Sequence, residues 1–204
     1  MSPDFVMCGM GKNQSPIDLS GAIDADLPEL SFDYPNRGLV GEVNTGHTLQ
    51  ENLKPGNFLT VRGKRFEAKQ FHFHSPSEHR IDGKSFPLAI HLVHVSEAGD
   101  LVVVGILFEE GERNALLDQL SGFRPPHLPP YTGLIDHNIL ISSRREYYTY
   151  NGSLTTPPCT EGVYWVVLKN PIFASKEQID RFRETMGADT NRPVQPLNSR
   201  TVLE

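Results

Sequence analysis

The sequence predicts a mainly β, α+β architecture: one large sheet with short helices at its periphery. Three observations carry this. Short apolar or alternating segments recur along the chain, bounded by Gly, Pro, Asn and Asp. Only two segments are patterned as helices. No linker-like stretch divides the 204 residues, a length that suits one domain with a sizeable core, so residues 1–204 read as a single domain.

The elements follow in order. Residues 1 to 38 are rich in Pro, Gly and Asp and read as mostly irregular. Strand signals then cover Leu39–Asn44, His47–Glu51, Phe58–Val61, Arg65–His74, Leu88–Val95 and Leu101–Phe108. Glu112 to Leu120 reads as a short helix stopped by Gly122. The four prolines between residues 122 and 133 make a loop. Tyr147–Tyr150 and Val163–Leu168 are further strands. Ser175-Lys-Glu-Gln178 has the capping-box pattern, opening a helix that Gly187 should end. Pro193 to Val202 returns as an extended tail.

Composition narrows the classes. The formal net charge of -6 argues against an electrostatic nucleic-acid footprint. The longest apolar run, Leu101 to Phe108, is too short for a membrane span. Met1-Ser-Pro-Asp has neither the basic start nor the apolar core of a secretory signal. Cys8 and Cys159 are the only cysteines, and the residues themselves leave thiols and a bridge equally open.

The densest chemistry lies in Gln70-Phe-His-Phe-His74 and Ile90-His-Leu-Val-His94. Side chains alternate along a strand, so His72 and His74 share a face while Phe71 and Phe73 point the other way. If the two strands pair as antiparallel neighbours, His91 lies beside both imidazoles. Three neutral nitrogens with one open position describe a catalytic zinc site. His94, three residues after His91, faces away. His79, His94, His127 and His137, taken singly, read as structural histidines.

A second signal is Gly152-Ser-Leu-Thr-Thr-Pro-Pro-Cys159. On its own a Thr/Pro-rich run is a turn. Beside a metal its hydroxyls have another use, because a threonine hydroxyl both donates and accepts. It can accept from a nucleophile while donating to a carboxylate, and Glu78 is the candidate carboxylate.

Together these segments resemble an alpha-class carbonic anhydrase of the bacterial type. The resemblance also rests on Gly-Lys-Asn-Gln-Ser-Pro-Ile-Asp18, Asn-Thr-Gly-His47, Ser-Pro-Ser-Glu-His79 and Asn-Arg-Pro-Val-Gln-Pro-Leu197, and spans about residues 8 to 200. It implies a twisted, mixed, mostly antiparallel sheet of about ten strands. It implies Zn2+ on His72, His74 and His91, with carbon dioxide and bicarbonate as substrates interconverted through zinc-bound hydroxide. Thr155 matches the hydroxyl that orients the nucleophile, Glu78 its carboxylate partner, and His47 the proton shuttle. Gln70 matches the acceptor that fixes the tautomer of His72. Val93, Val103, Leu154, Val163 and Trp165 would wall the carbon dioxide pocket, and Thr156 adds a second hydroxyl. Cys8 and Cys159 match a disulfide of bacterial members, which are periplasmic or secreted. Sulfonamides and small anions are the expected inhibitors, and a homodimer is compatible. A silent, carbonic-anhydrase-like binding domain is the rival, but such relatives usually lose a metal ligand and none is lost here.

Two departures stand out. Relatives commonly carry an aromatic-rich segment ahead of the part matching Met1, so the bare start reads as that of a mature or trimmed chain. The position two before the third ligand is normally a glutamate, and here it is Ala89. Ala89 shares a face with His91 and offers its N–H no acceptor. A water, an anion or a displaced neighbour is expected there, with a more loosely held metal.

Overall fold

The computed structural model describes residues 5–124, 127, 140–141 and 146–204. Among them ten strands form one sheet: β1 (Ser31–Asp33), β2 (Leu39–Asn44), β3 (Leu49–Leu53), β4 (Phe58–Val61), β5 (Lys64–His74), β6 (Leu88–Val95), β7 (Leu101–Glu110), β8 (Tyr147–Ser153), β9 (Glu161–Leu168) and β10 (Ile172–Ala174). The main path runs β1-β4-β5-β6-β7-β9-β8. β3 also pairs with β5 and carries β2, while β10 joins β7. The sheet is mixed, since β7 pairs parallel with β9 and β10 and the other ladders are antiparallel. The helices are α1 (Val6–Met10) and α2 (Lys176–Met186). No helix among the described residues is long and apolar enough to cross a membrane.

Alternation sorts the side chains into two layers. One face buries Phe71 and Phe73 of β5, Ile90 and Leu92 of β6, and Val102, Val104, Ile106 and Phe108 of β7 in the larger core, which α2 caps with Ile179 and Phe182. The other face carries a smaller cluster that includes Ala89, Val103, Leu107, Val163, Trp165 and Val167. The β5–β6 register is irregular between Ala68 and Gln70, so Lys69 sits in a bulge. Before it, Phe66 and Ala68 are buried on the core face, and after it Phe71 and Phe73 are. The extra residue therefore shifts the alternation by one, which turns Gln70, His72 and His74 to the opposite layer.

Several elements differ from the sequence reading. β3 starts at Leu49, and His47 lies in the turn before it, where Gly46 adopts positive φ. Glu112–Leu120 is not an α-helix. Asn114 accepts the N–H groups of Leu116 and Leu117 through its side chain, and the chain forms two 3₁₀ turns, Leu117–Gln119 and Ser121–Phe123. A side chain that binds nearby backbone competes with helix in this way. α1, β1 and β10 were not foreseen; each is five residues or fewer, too short for a period to register. Most of the proline-rich 122–133 loop, and His137, lie outside the described residues. The capping box at α2 is present in both directions between Ser175 and Gln178, and Gly187 is its left-handed cap.

Cys8 and Cys159 form a disulfide, which ties α1 to the loop after Thr155. It closes 151 residues of sequence. Cys8→Ala with Cys159→Ala is expected to lower stability by roughly 2–5 kcal/mol. Equal melting curves for oxidised and reduced wild-type protein would show that the bridge contributes nothing.

Glu51 is a buried carboxyl opposite Glu42 in the β2–β3 ladder. Burial first, then the hydrogen bond and charge of Glu42, raise its pKa from 4.5 to about 9. The folded state then holds a proton that the unfolded chain releases above 4.5. Stability falls as pH rises between those values, by at most about 1.4 kcal/mol per pH unit. Glu51→Gln should flatten that slope in urea titrations run from pH 5 to 9.

Candidate metal centre

β5 and β6 present His72 and His91 as a direct cross-strand pair, with His74 one pleat further on opposite Ala89. The candidate ligand atoms of the three imidazoles all lie within 4.8 Å of one another. His94 pairs with Ala68 and faces the other layer, where it bonds the Tyr34 hydroxyl.

Hydrogen bonds fix two tautomers. His72 Nδ1 donates to Gln70 Oε1 at 2.8 Å, and His74 Nδ1 donates to the Thr190 carbonyl at 2.8 Å. In a neutral ring this arrangement leaves Nε2 with a lone pair. His74 Nε2 is buried and has no hydrogen-bond partner. It lies 3.6 Å from Glu78 Oε2, and His91 Nδ1 lies 3.7 Å from the same oxygen. Burial first, then neighbouring imidazoles, hold His72 and His91 well below the ordinary histidine range. Three convergent imidazoles, two of them oriented through Nδ1, are a donor set that zinc takes, so the residues fit that ion.

The His91 imidazole makes no hydrogen bond among the described residues. Ala89 is buried and packs in the apolar cluster with Phe86, Leu107 and Trp165. Behind His91 lies His79, with ring centroids 5.8 Å apart. Burial pushes His79 down to about 3, and its Nε2 meets the Tyr150 hydroxyl at 2.7 Å. That hydroxyl also contacts Ser15 Oγ at 2.7 Å. His79 is thus a satisfied buried histidine.

Two cavities meet at Thr155. One, of about 210 Å³, is lined by Gln70, His72, His91, Val93, Leu101, Val103, Leu154, Thr155, Thr156 and Trp165. The other, of about 240 Å³, opens past Gly46, His47, Glu78, Thr155, Thr156 and Pro157 to residues 186 to 192. Val163 is not among the residues lining the first cavity; it is fully buried in the apolar cluster, beside Leu101 in the β7–β9 ladder. Leu101 lines it instead, and the signal was available, because Leu101 and Val103 share a face of β7. Thr155 and Glu78 line the same cavity, yet Thr155 forms no hydrogen bond to Glu78. Glu78 Oε1 accepts the Arg192 main-chain N–H at 2.8 Å, and Oε2 is buried without a hydrogen-bond partner. Arg192 had no assigned role in the sequence reading. His47 is exposed at the cavity mouth.

A curled mixed sheet thus places a three-imidazole cluster, a group that could hold a metal ion, at the foot of an open cavity. Comparison with known proteins agrees. The model of the eukaryotic-type carbonic anhydrase family matches residues 2–204. A carbonic anhydrase of Pectobacterium carotovorum is 41% identical, over 100% of this chain and 84% of the relative. One from Neisseria gonorrhoeae is 40% identical over 100% of this chain and 82% of its own length. The alpha-carbonic anhydrase of Thermovibrio ammonificans, solved with the inhibitor sulfanilamide, superposes with a TM-score of 0.92 at 44% identity, covering 100% of this chain and 92% of that one. The chain belongs to the eukaryotic-type, or alpha, carbonic anhydrase family. It is an enzyme of the carbonate dehydratase class.

Proposed function

We propose that the chain holds one zinc ion on His72, His74 and His91 and catalyses the reversible hydration of carbon dioxide to bicarbonate and a proton. The observation that carries this is the convergence of three imidazoles between an apolar wall and a hydroxyl–carboxylate pair. Zinc at such a site acts as a Lewis acid that brings the pKa of a bound water to about 7.

The protein supplies the rest. Val93, Leu101, Val103, Leu154 and Trp165 give carbon dioxide an apolar surface beside the cluster. Glu78 as a carboxylate can only accept, so a Thr155 hydroxyl turned toward it must donate. That leaves Thr155 Oγ1 only lone pairs, which orient a nucleophilic O–H. His47, exposed at the cavity mouth, takes the released proton on its imidazole and hands it to buffer. A sulfonamide or small anion would compete at the same place; the Thermovibrio ammonificans relative was solved with the inhibitor sulfanilamide. The Cys8–Cys159 bridge supports an oxidising location, periplasmic or secreted.

Stopped-flow hydration with and without a zinc chelator, alongside metal analysis, tests the reading. One zinc per chain and activity lost on chelation and restored by zinc are expected. Activity that survives complete metal removal would sink it.

His47→Ala should slow turnover in weak buffer by ~100-fold, the lower end for a positioned proton-transfer group. Added imidazole should restore much of the rate, because attack on carbon dioxide is untouched. A rate that ignores buffer concentration in both proteins would reduce His47 to a loop residue.

A further inference from the structure

We infer that Arg192 is a positioning residue for Glu78: its guanidinium clamps the N-terminal segment and so fixes the main-chain N–H that aims the carboxylate. This rests on the carbon dioxide reading above. Two motifs, Gly-Lys-Asn-Gln-Ser-Pro-Ile-Asp18 and Asn-Arg-Pro-Val-Gln-Pro-Leu197, supply no metal ligand and no proton-transfer group. They meet at Arg192.

Nη1 donates to the Ser15 carbonyl at 2.7 Å and to Gln14 Oε1 at 2.9 Å, and Nη2 donates to the Cys8 carbonyl at 2.9 Å. The same residue's main-chain N–H donates to Glu78 Oε1 at 2.8 Å. That is the one hydrogen bond of the Glu78 carboxylate among the described residues. With Oε1 anchored, Oε2 must face inward, 3.6 Å from His74 Nε2 and 3.7 Å from His91 Nδ1. The neighbouring backbone is stitched on both sides, Gln195 N–H to the Pro16 carbonyl at 2.7 Å and Thr190 N–H to the Ser75 carbonyl at 3.1 Å. Three acceptors from three residues need a planar fork of donors. A lysine ammonium on one nitrogen cannot span them equally. The clamp therefore transmits the placement of the N-terminal segment to one carboxylate oxygen.

The test is a double-mutant cycle on zinc-loaded protein: wild type, Arg192→Met, Arg192→Lys, Glu78→Gln and Arg192→Met with Glu78→Gln. Arg192→Met should keep one zinc per chain and lower kcat about 10-fold with KM within about twofold, because a misaimed group costs rate more than binding. Arg192→Lys should fall between it and wild type. The double variant should be no slower than Glu78→Gln alone, since residues acting as one unit do not add. In the metal-free protein, amide exchange at position 192 should speed up in Arg192→Met. If Arg192→Met does not fold, Arg192→Lys carries the same cycle. An unchanged kcat with only a lower melting temperature, or losses that multiply with Glu78→Gln, would overturn the inference while leaving the reading intact. An inactive zinc-loaded wild type, or a fully active Glu78→Gln, would overturn the reading and the inference with it.

Discussion

Thr155→Ala is expected to leave one zinc per chain in place and to cut hydration by about 100-fold, the scale of a misplaced reacting group. Thr155 lies on the loop after β8, outside the strands that carry the imidazoles, so the metal site should assemble without it. It lines both cavities, the apolar one and the one containing Glu78. Removing its hydroxyl breaks the proposed link between the nucleophile and that carboxylate. The loss should sit in kcat, and Thr155→Ser should recover most of it. Stopped-flow rates on metal-analysed protein decide this. A Thr155→Ala protein at wild-type speed would take Thr155 and Glu78 out of the mechanism together.

Ala89→Glu is expected to slow zinc dissociation by about 10- to 100-fold, the usual worth of an acceptor for a ligating imidazole. Position 89 points to the His91 side of β6 and pairs with His74 across the ladder. Its methyl group accepts nothing, and Glu78 Oε2 at 3.7 Å is beyond hydrogen-bond distance of His91. A carboxylate there must enter a largely apolar cluster, so it persists only if His91 or His79 donates to it. Competition with a chromogenic chelator reads the off-rate directly. Equal rates in the two proteins would mean that another group already holds His91.

The sheet was legible where alternation runs long. β5, β6 and β7 have 8 to 11 residues each; β6 and β7 are buried on both faces and stand out as apolar runs, while β5 keeps the period of two on either side of its bulge. The His72–His91 pairing followed from that period once the strands were taken as neighbours. Glu112–Leu120 was misread because Asn114 diverts local N–H groups, which no apolar pattern records. The three imidazoles were legible for the same reason as the strands. Arg192 was not. Its role depends on three carbonyl-type acceptors between residues 8 and 15, and sequence separation hides that meeting. Leu101 went unnamed beside its ladder partner Val163 because both point to the same layer, and only depth in the cluster separates them.

The bulge at Lys69 makes the metal site tolerant of a length change at one point and intolerant at others. Shortening the chain by that residue would leave an uninterrupted strand, with Ala68 still turned to the core and Gln70, His72 and His74 still turned away from it. Loss or gain of a residue between Phe71 and Phe73 has no such outlet. It would invert part of the strand, exchanging imidazole for phenyl ring in one layer and phenyl ring for imidazole in the other. Across descendants of this chain, insertions and deletions in β5 should therefore collect at position 69 and be purged from the residues that follow, whatever substitutions accumulate around them.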